Sequence, residues 1–204
     1  MTTKTLNISE EQLVDYSKAH NEPSWVTELR KKALKLTETL EMPKPDKTKL
    51  RKWDFDTFKQ HHTTGDSYHQ LTDLPKSVKE IIDVENSENL IIQHNNDLAY
   101  TQVSDQAKND GVIIEGLSEA LVNHSDLVQK YFMTKAVNVD EHRLTALHTA
   151  LVNGGIFVYV PKNTVVEHPI QYVVLHDDEQ ASFYNHVIIV TEESAEVTLS
   201  LIHI

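Results

Sequence analysis

Apolar residues recur at three- and four-residue steps through Trp25, Leu29, Ala33, Leu36 and Leu40. That spacing predicts one helix with a single buried stripe, starting near Pro23 and leaving Arg30, Lys31, Lys32 and Lys35 mostly off the stripe. Ahead of it, Ser9-Glu10-Glu11-Gln12 reads as a capping box for a short helix to about His20. Met42-Pro43-Lys44-Pro45 ends the second helix, because proline lacks the amide proton and restricts the residue before it.

The middle of the chain is less regular. Ser77-Val78-Lys79-Glu80 reads as another capping box, for a short helix through Ile82. Two apolar runs, Leu90 to Gln93 and Leu98 to Val103, flank His94-Asn95-Asn96-Asp97 and predict a hairpin with a four-residue loop. Val112 to Ile114 adds a third strand, and Leu117 to Val122 and Asp126 to Phe132 read as two short helices. A further helix is expected over Glu141 to Val152, with Asp140 as N-cap, Val139 stapled to Leu144, and Asn153-Gly154-Gly155 as a left-handed C-cap.

From Ile156 the helical period disappears. Short β-branched or aromatic runs follow at Ile156–Val160, Thr164–Val166, Ile170–Leu175, Tyr184–Val190 and Ala195–Ile204, separated by tight polar turns. They predict an all-β array, and spacing alone leaves sandwich, barrel and solenoid open. The chain thus divides into a helical segment 1–45, a mixed α/β region 46–153 and a β region 154–204.

Charge and composition narrow the partners. The 204 residues carry a formal net charge of −12, unevenly spread: Arg30 to Lys52 holds nine basic and three acidic residues. The remainder is strongly acidic, which makes nucleic acid a poor partner; the basic run reads as a solvated helix and linker that could dock an acidic partner. No stretch approaches the roughly 20 apolar residues of a bilayer span. Met1 to Leu6 has no apolar leader pattern, and the absence of cysteine removes disulfides and thiolate chemistry, so a reducing cytoplasm is expected.

Candidate chemistry is sparse. Gly111-Val112-Ile113-Ile114-Glu115-Gly116 has phosphate-loop glycine spacing, but Leu117 stands where a lysine must reach phosphates, so no ATP site is expected. Of twelve histidines, His61-His62 fall in a polar loop, and His142 and His148 point to different faces of one helix. His168, His176 and His186 are the group that strands could bring together; with Glu167 or Asp177 they would make a cupin-like metal enzyme, the alternative reading. No serine has nucleophile-elbow glycines, and the acid pairs Asp177-Asp178 and Glu192-Glu193 sit in turns, where a solenoid carbohydrate enzyme would need them on one face. Trp25 and Trp53 read as core or interface anchors. No catalytic, cofactor-binding or metal-ligating residue is assigned.

Three stretches resemble the SufB/SufD family of iron–sulfur cluster assembly scaffolds. Asn21-Glu22-Pro23-Ser24-Trp25 followed by Leu29-Arg30-Lys31-Lys32-Ala33-Leu34 is similar to the family's entry helix. Pro43 to Phe55 looks closer to the SufD branch than to SufB. Leu151 to Lys162, then His168-Pro169-Ile170-Gln171, resembles the entry into the family's β-helix. The resemblance implies an α+β N-terminal region followed by the first coils of a right-handed parallel β-helix. It further implies a non-catalytic subunit that pairs with a SufB-like paralogue and a SufC-like ATPase, in a complex that handles clusters and ATP through those partners. The family's cluster-related and ATPase-docking regions lie later than Ile204, so the chain reads as truncated, with no cofactor of its own.

Overall fold

The computed structural model describes residues 6–57 and 59–204, with Arg51 described by its backbone only. The leader reading of Met1 to Thr5 lies outside the described residues.

Helices α1 (Glu10–Ala19) and α2 (Ser24–Thr39) form an antiparallel pair at the N-terminal end. The capping box is reciprocal: the Gln12 amide donates to Ser9 Oγ at 3.2 Å and the Ser9 amide to Gln12 Oε1 at 2.8 Å. Pro23 is the N-cap of α2. The buried side of α2 is not the predicted stripe alone. Val26, Arg30, Ala33 and Thr37 are its buried residues, while Trp25, Leu29 and Leu36 are half-buried beside them. Arg30 is therefore interior, contrary to its expected place off the stripe.

Among the described residues, 40–88 are largely irregular, with one short α-helix, α3 (Lys76–Lys79), and single 3-10 turns at Leu50–Lys52, Leu71–Asp73 and Val84–Asn86. Ser77 lies inside α3 and does not cap it; Pro75 holds the N-cap position, since its fixed φ and absent amide suit a first turn. Strands β1 (Asn89–His94) and β2 (Asp97–Gln102) form the expected hairpin, but His94 pairs with Asp97, so the loop is two residues, Asn95-Asn96. Asn95 takes φ 53°, a left-handed conformation asparagine tolerates and a tight hairpin turn demands.

Helix α4 (Asp105–Asn109), strand β3 (Ile113–Gly116), α5 (Leu117–Asn123) and α6 (Ser125–Tyr131) follow. Helix α7 (Arg143–Leu151) starts later than predicted, and its cap is His142, not Asp140. The Thr145 amide donates to His142 Nδ1 at 3.1 Å and the His142 amide to Thr145 Oγ1 at 3.1 Å. Glu141 meanwhile turns back to accept the Asn138 amide at 2.9 Å, which holds residues 138–141 out of the helix. Arg143 donates to the Thr37 carbonyl and the Asp56 carboxylate, tying the start of α7 to the end of α2.

The C-terminal β region builds two mixed sheets with β4 (Gly154–Val160), β5 (Ile170–Leu175), β6 (Asn185–Thr191) and β7 (Leu199–His203). Their orders are β2-β1-β5-β7 and β3-β4-β6. Both are open, with no closed barrel. Pairing is antiparallel in the β1/β2 hairpin and between β3 and β4, whereas β1/β5, β5/β7 and β4/β6 are parallel. Within residues 154–204 the parallel partners recur at nearly constant spacing: Gly154 with Asn185, Val165 with Glu196, Ile170 with Leu199. The segment expected as a strand at Thr164–Val166 survives only as that one contact at Val165.

Alternation explains the layering. Ile156, Val158 and Val160 of β4 face Ile170, Tyr172 and Val174 of β5 in a shared core, joined by Ile91 and Ile114. Phe157 turns the other way, onto Leu117, Leu121, Val128 and Phe132 of the helices. Val173 likewise faces Leu74, Val78 and Ile82 on the opposite outer side. Each such fully buried side chain contributes roughly 1.5–3 kcal/mol. Strands buried on both faces read as continuous apolar runs, which is why β5 shows no alternation in sequence.

Gly154 and Gly155 are strand residues, not a helix C-cap; α7 ends at Leu151, with Val152 as its C-cap at φ −49° and ψ 127°. Gly155 holds φ 131°, and a Cβ there would lie 1.9 Å from the His186 carbonyl oxygen. Close approach of two backbones, rather than helix termination, requires glycine here.

Candidate functional site

A pocket carrying several polar side chains lies where α1, the β1–β2 turn, the start of β4 and α5 converge. A cavity of about 340 Å³ there is lined by Tyr16, His20, His62, Asp97, Glu119 and Gly155 among others. The imidazoles are held in place. His62 Nε2 lies 2.9 Å from Asp97 Oδ1, and His20 Nδ1 lies 2.9 Å from the Tyr16 carbonyl. The His20 ring stacks on Tyr16 with centroids 4.1 Å apart and meets His62 edge-on at 4.7 Å. Burial pushes the Tyr16 phenol well above its ordinary range. Burial also raises the Glu119 carboxyl, helped by the charges of Glu115 and Asp97 and opposed by a backbone hydrogen bond. The pocket can orient a small polar group and hold a proton.

Behind this cavity sits a buried ion pair. Arg30 is 2% exposed and donates through Nε and a terminal nitrogen to the Glu22 carboxylate, at 2.8 and 2.6 Å. Two further donors reach the Ala150 and Val152 carbonyls, at 2.9 and 2.8 Å. Those carbonyls belong to the C-terminal end of α7, where a cation complements the helix dipole. Burial alone would raise the Glu22 carboxyl, but the Arg30 charge and hydrogen bonds from Arg30 and Ser17 hold it below its usual value.

The predicted histidine group does not form. His186 Nδ1 contacts His148 Nε2 at 2.8 Å and its ring meets Phe132. His176 lies beside Phe183, His168 offers only its carbonyl to Asn89, and Glu167 is exposed. Asp177 is engaged by His94 and Asn95, and the His94 hydrogen bond holds its carboxyl below the ordinary range. His168 and His176 flank β5 while His186 lies within β6, and the three find different neighbours, so the cupin-like alternative has no support. Among the described residues, no three histidine, aspartate or glutamate side chains converge in a way that would hold a metal ion. Gly111 to Gly116 runs into β3, where it pairs with β4.

Several interior polar residues escaped sequence reasoning. His61, expected in a polar loop, contacts the Leu151 carbonyl at 2.9 Å and is pushed down to about 4, chiefly by burial. Arg30 shares the three- and four-residue step of Val26, Ala33 and Thr37, a signal that charge alone concealed. Trp25 is anchored in the core, donating to Ser125 Oγ at 2.9 Å, whereas Trp53 is 66% exposed and, among the described residues, in no core cluster, which leaves its interface reading untouched. Among the described residues no helix is long and apolar enough to cross a membrane.

The family described as SufBD protein N-terminal region matches residues 10–172. The chain belongs to the SufBD family. It is 46% identical over 194 residues to the iron-sulfur cluster assembly protein SufD of Bacillus subtilis, which covers 95% of this chain and 44% of that protein. An iron-sulfur cluster assembly SufBD family protein of Pyrococcus horikoshii is 29% identical over 203 residues, covering 95% and 45% respectively. One from Staphylococcus epidermidis is 26% identical over 199 residues, covering 93% and 42%. The chain thus spans less than half the length of these SufBD relatives. The family match runs from α1 into β5, so it includes the histidine-lined cavity and the Arg30–Glu22 pair, while β6 and β7 follow it.

Proposed function

We propose that this chain belongs to a SufD-type scaffold subunit for iron–sulfur cluster assembly, acting in the cytoplasm and hydrolysing nothing itself. The observation that carries the reading is the 46% identity to a protein named as SufD, sustained over 95% of this chain. The site chemistry agrees with it: polar groups in the cavity are paired with one another rather than arranged as nucleophile and base. Strands β4 and β5, then β6 and β7, in this reading, are the opening coils of a right-handed parallel β-helix, β6 pairing with β4 and β7 with β5. Strands β1 and β3 then cover the first coil by pairing with β5 and β4, which gives the solenoid a closed end. The partners are a SufB-like paralogue and a SufC-like ATPase, and the cluster is cargo of the assembly. The test is co-purification of the tagged full-length protein with both candidate partners, followed by ATPase assay of each component. Stable association with hydrolysis confined to the SufC-like subunit is expected. Failure of both partners to bind would defeat the assignment.

A further inference from the structure

We propose that the surface formed by Pro43 to Trp53 docks an acidic segment of a partner protein, with Trp53 as its apolar anchor. The inference does not rest on the scaffold reading. Within Pro43–Trp53 the sequence holds five basic residues and one acid. The structure sorts the larger basic run into used and unused charge. Arg30 is consumed by Glu22 inside the fold, Lys31 and Lys35 both reach Glu10, and Lys44 reaches Glu41. Lys47, Lys49 and Lys52 are exposed and have no side-chain ion pair or hydrogen bond among the described residues.

Trp53 follows them directly, its amide bonded to the Leu50 carbonyl at 2.9 Å. Its ring lies nearly parallel to Phe55, 7° between planes and 6.1 Å between centroids, and Phe55 is in turn packed on the α1–α2–α7 core. The indole thus rests beside Phe55 while 66% of the residue stays open to solvent. Tryptophan is among the residue types enriched as interface anchors. The neighbouring acids leave the patch net positive: Asp56 is bound by Arg143, and counting Asp54, which accepts from the Asp56 amide and the Thr57 hydroxyl, Pro43–Asp54 is still +3.

Charge decides the class of partner. Pro43–Trp53 is net +4 within a chain of −12, so the rest carries −16. A polyphosphate long enough to track beyond the patch would meet that acidic body, and three free lysines neutralise too few phosphates for firm binding. A short acidic segment carrying one apolar residue matches both the lysines and the indole.

The experiment uses the full chain and a fluorescently labelled peptide alternating glutamate with leucine, followed by anisotropy and tryptophan emission at low and physiological salt. Saturable binding that weakens with salt is expected. Trp53→Ala should weaken it by about tenfold or more, and joint Lys47→Glu, Lys49→Glu, Lys52→Glu should abolish it. Lys32→Glu on α2 should leave it unchanged, and all variants should melt like the parent. The proposal is overturned if the peptide does not bind, or if Trp53→Ala binds it as the parent does. It is equally overturned if oligothymidylate or dextran sulfate binds as tightly, or if sedimentation shows the signal to follow self-association.

Discussion

Replacing Arg30 with methionine keeps the apolar stem and removes four hydrogen bonds, two to Glu22 and one each to the Ala150 and Val152 carbonyls. The side chains of Arg30 and Glu22 are only 3% and 5% exposed, so water cannot replace the guanidinium. Glu22 is left as a buried carboxylate with the Ser17 hydroxyl as its remaining side-chain partner, at 2.7 Å. Stripping one member from a buried pair costs about 3–5 kcal/mol, a large share of the roughly 5–15 kcal/mol that holds a domain together. With a urea slope of about 2 kcal/mol per molar, the midpoint should fall by about 2 M. The assay is urea unfolding followed by far-ultraviolet circular dichroism at neutral pH. Two further variants separate charge from packing. Arg30→Lys should be intermediate, since an ammonium cannot form the planar fork. Adding Glu22→Gln to Arg30→Met should recover about 1 kcal/mol or more, because the stranded charge is gone. A midpoint shift below about 0.5 M for Arg30→Met, or no recovery in the double variant, would refute the reasoning.

Acid should destabilise the fold before carboxylates titrate. His61 and His148 are pushed down to about 4, chiefly by burial, with His186 opposing charge on His148 and itself lowered by burial. Between pH 6.5 and about 4 the unfolded chain binds protons that the folded chain refuses, so stability is full above pH 6.5 and declines as pH falls, by at most roughly 3 kcal/mol for His61. Denaturant midpoints at stepped pH measure this, and His61→Gln, which can still donate to Leu151, should flatten the slope; a pH-independent midpoint over that window contradicts the account. Gly155→Ala should cost about 3 kcal/mol or more, because the new methyl meets the His186 carbonyl at a positive φ. Hydrogen exchange should quicken in β6, and unchanged protection there would mean that the two backbones can separate freely.

The helices were legible where local chemistry decides them. Ser9 and Gln12 lie within one turn, so their reciprocal bonds are written in adjacent residues. The α7 start was misread because Asn138, Glu141 and Arg143 find partners that sequence does not rank, Arg143 reaching back to Thr37 and Asp56. Four of the five strand positions expected in the β region are present, Thr164–Val166 being the exception, but their partners were not visible from composition. Parallel pairing joins Asn89 to Ile170 across the whole middle of the chain, and no local pattern encodes it. Gly154-Gly155 looked like a helix stop because glycine signals conformational freedom without saying which neighbour demands it. The candidate site was the least legible part: Tyr16, His62, Asp97 and Glu119 come from four separate segments that only the fold gathers.

The pairing of β1 with β5 sets a timetable for synthesis. Asn89 leaves the ribosome 81 positions before its parallel partner Ile170. At about 5–20 residues per second, that interval is roughly 4–16 s. Throughout it, Leu90, Ile91 and Ile92, which end with no exposure at all, have only the β2 hairpin beside them on one edge. Nascent β1 must therefore wait beside the exit tunnel with its second edge unclaimed, and the pace of translation through residues 103–169 governs how long that edge is available to a wrong neighbour.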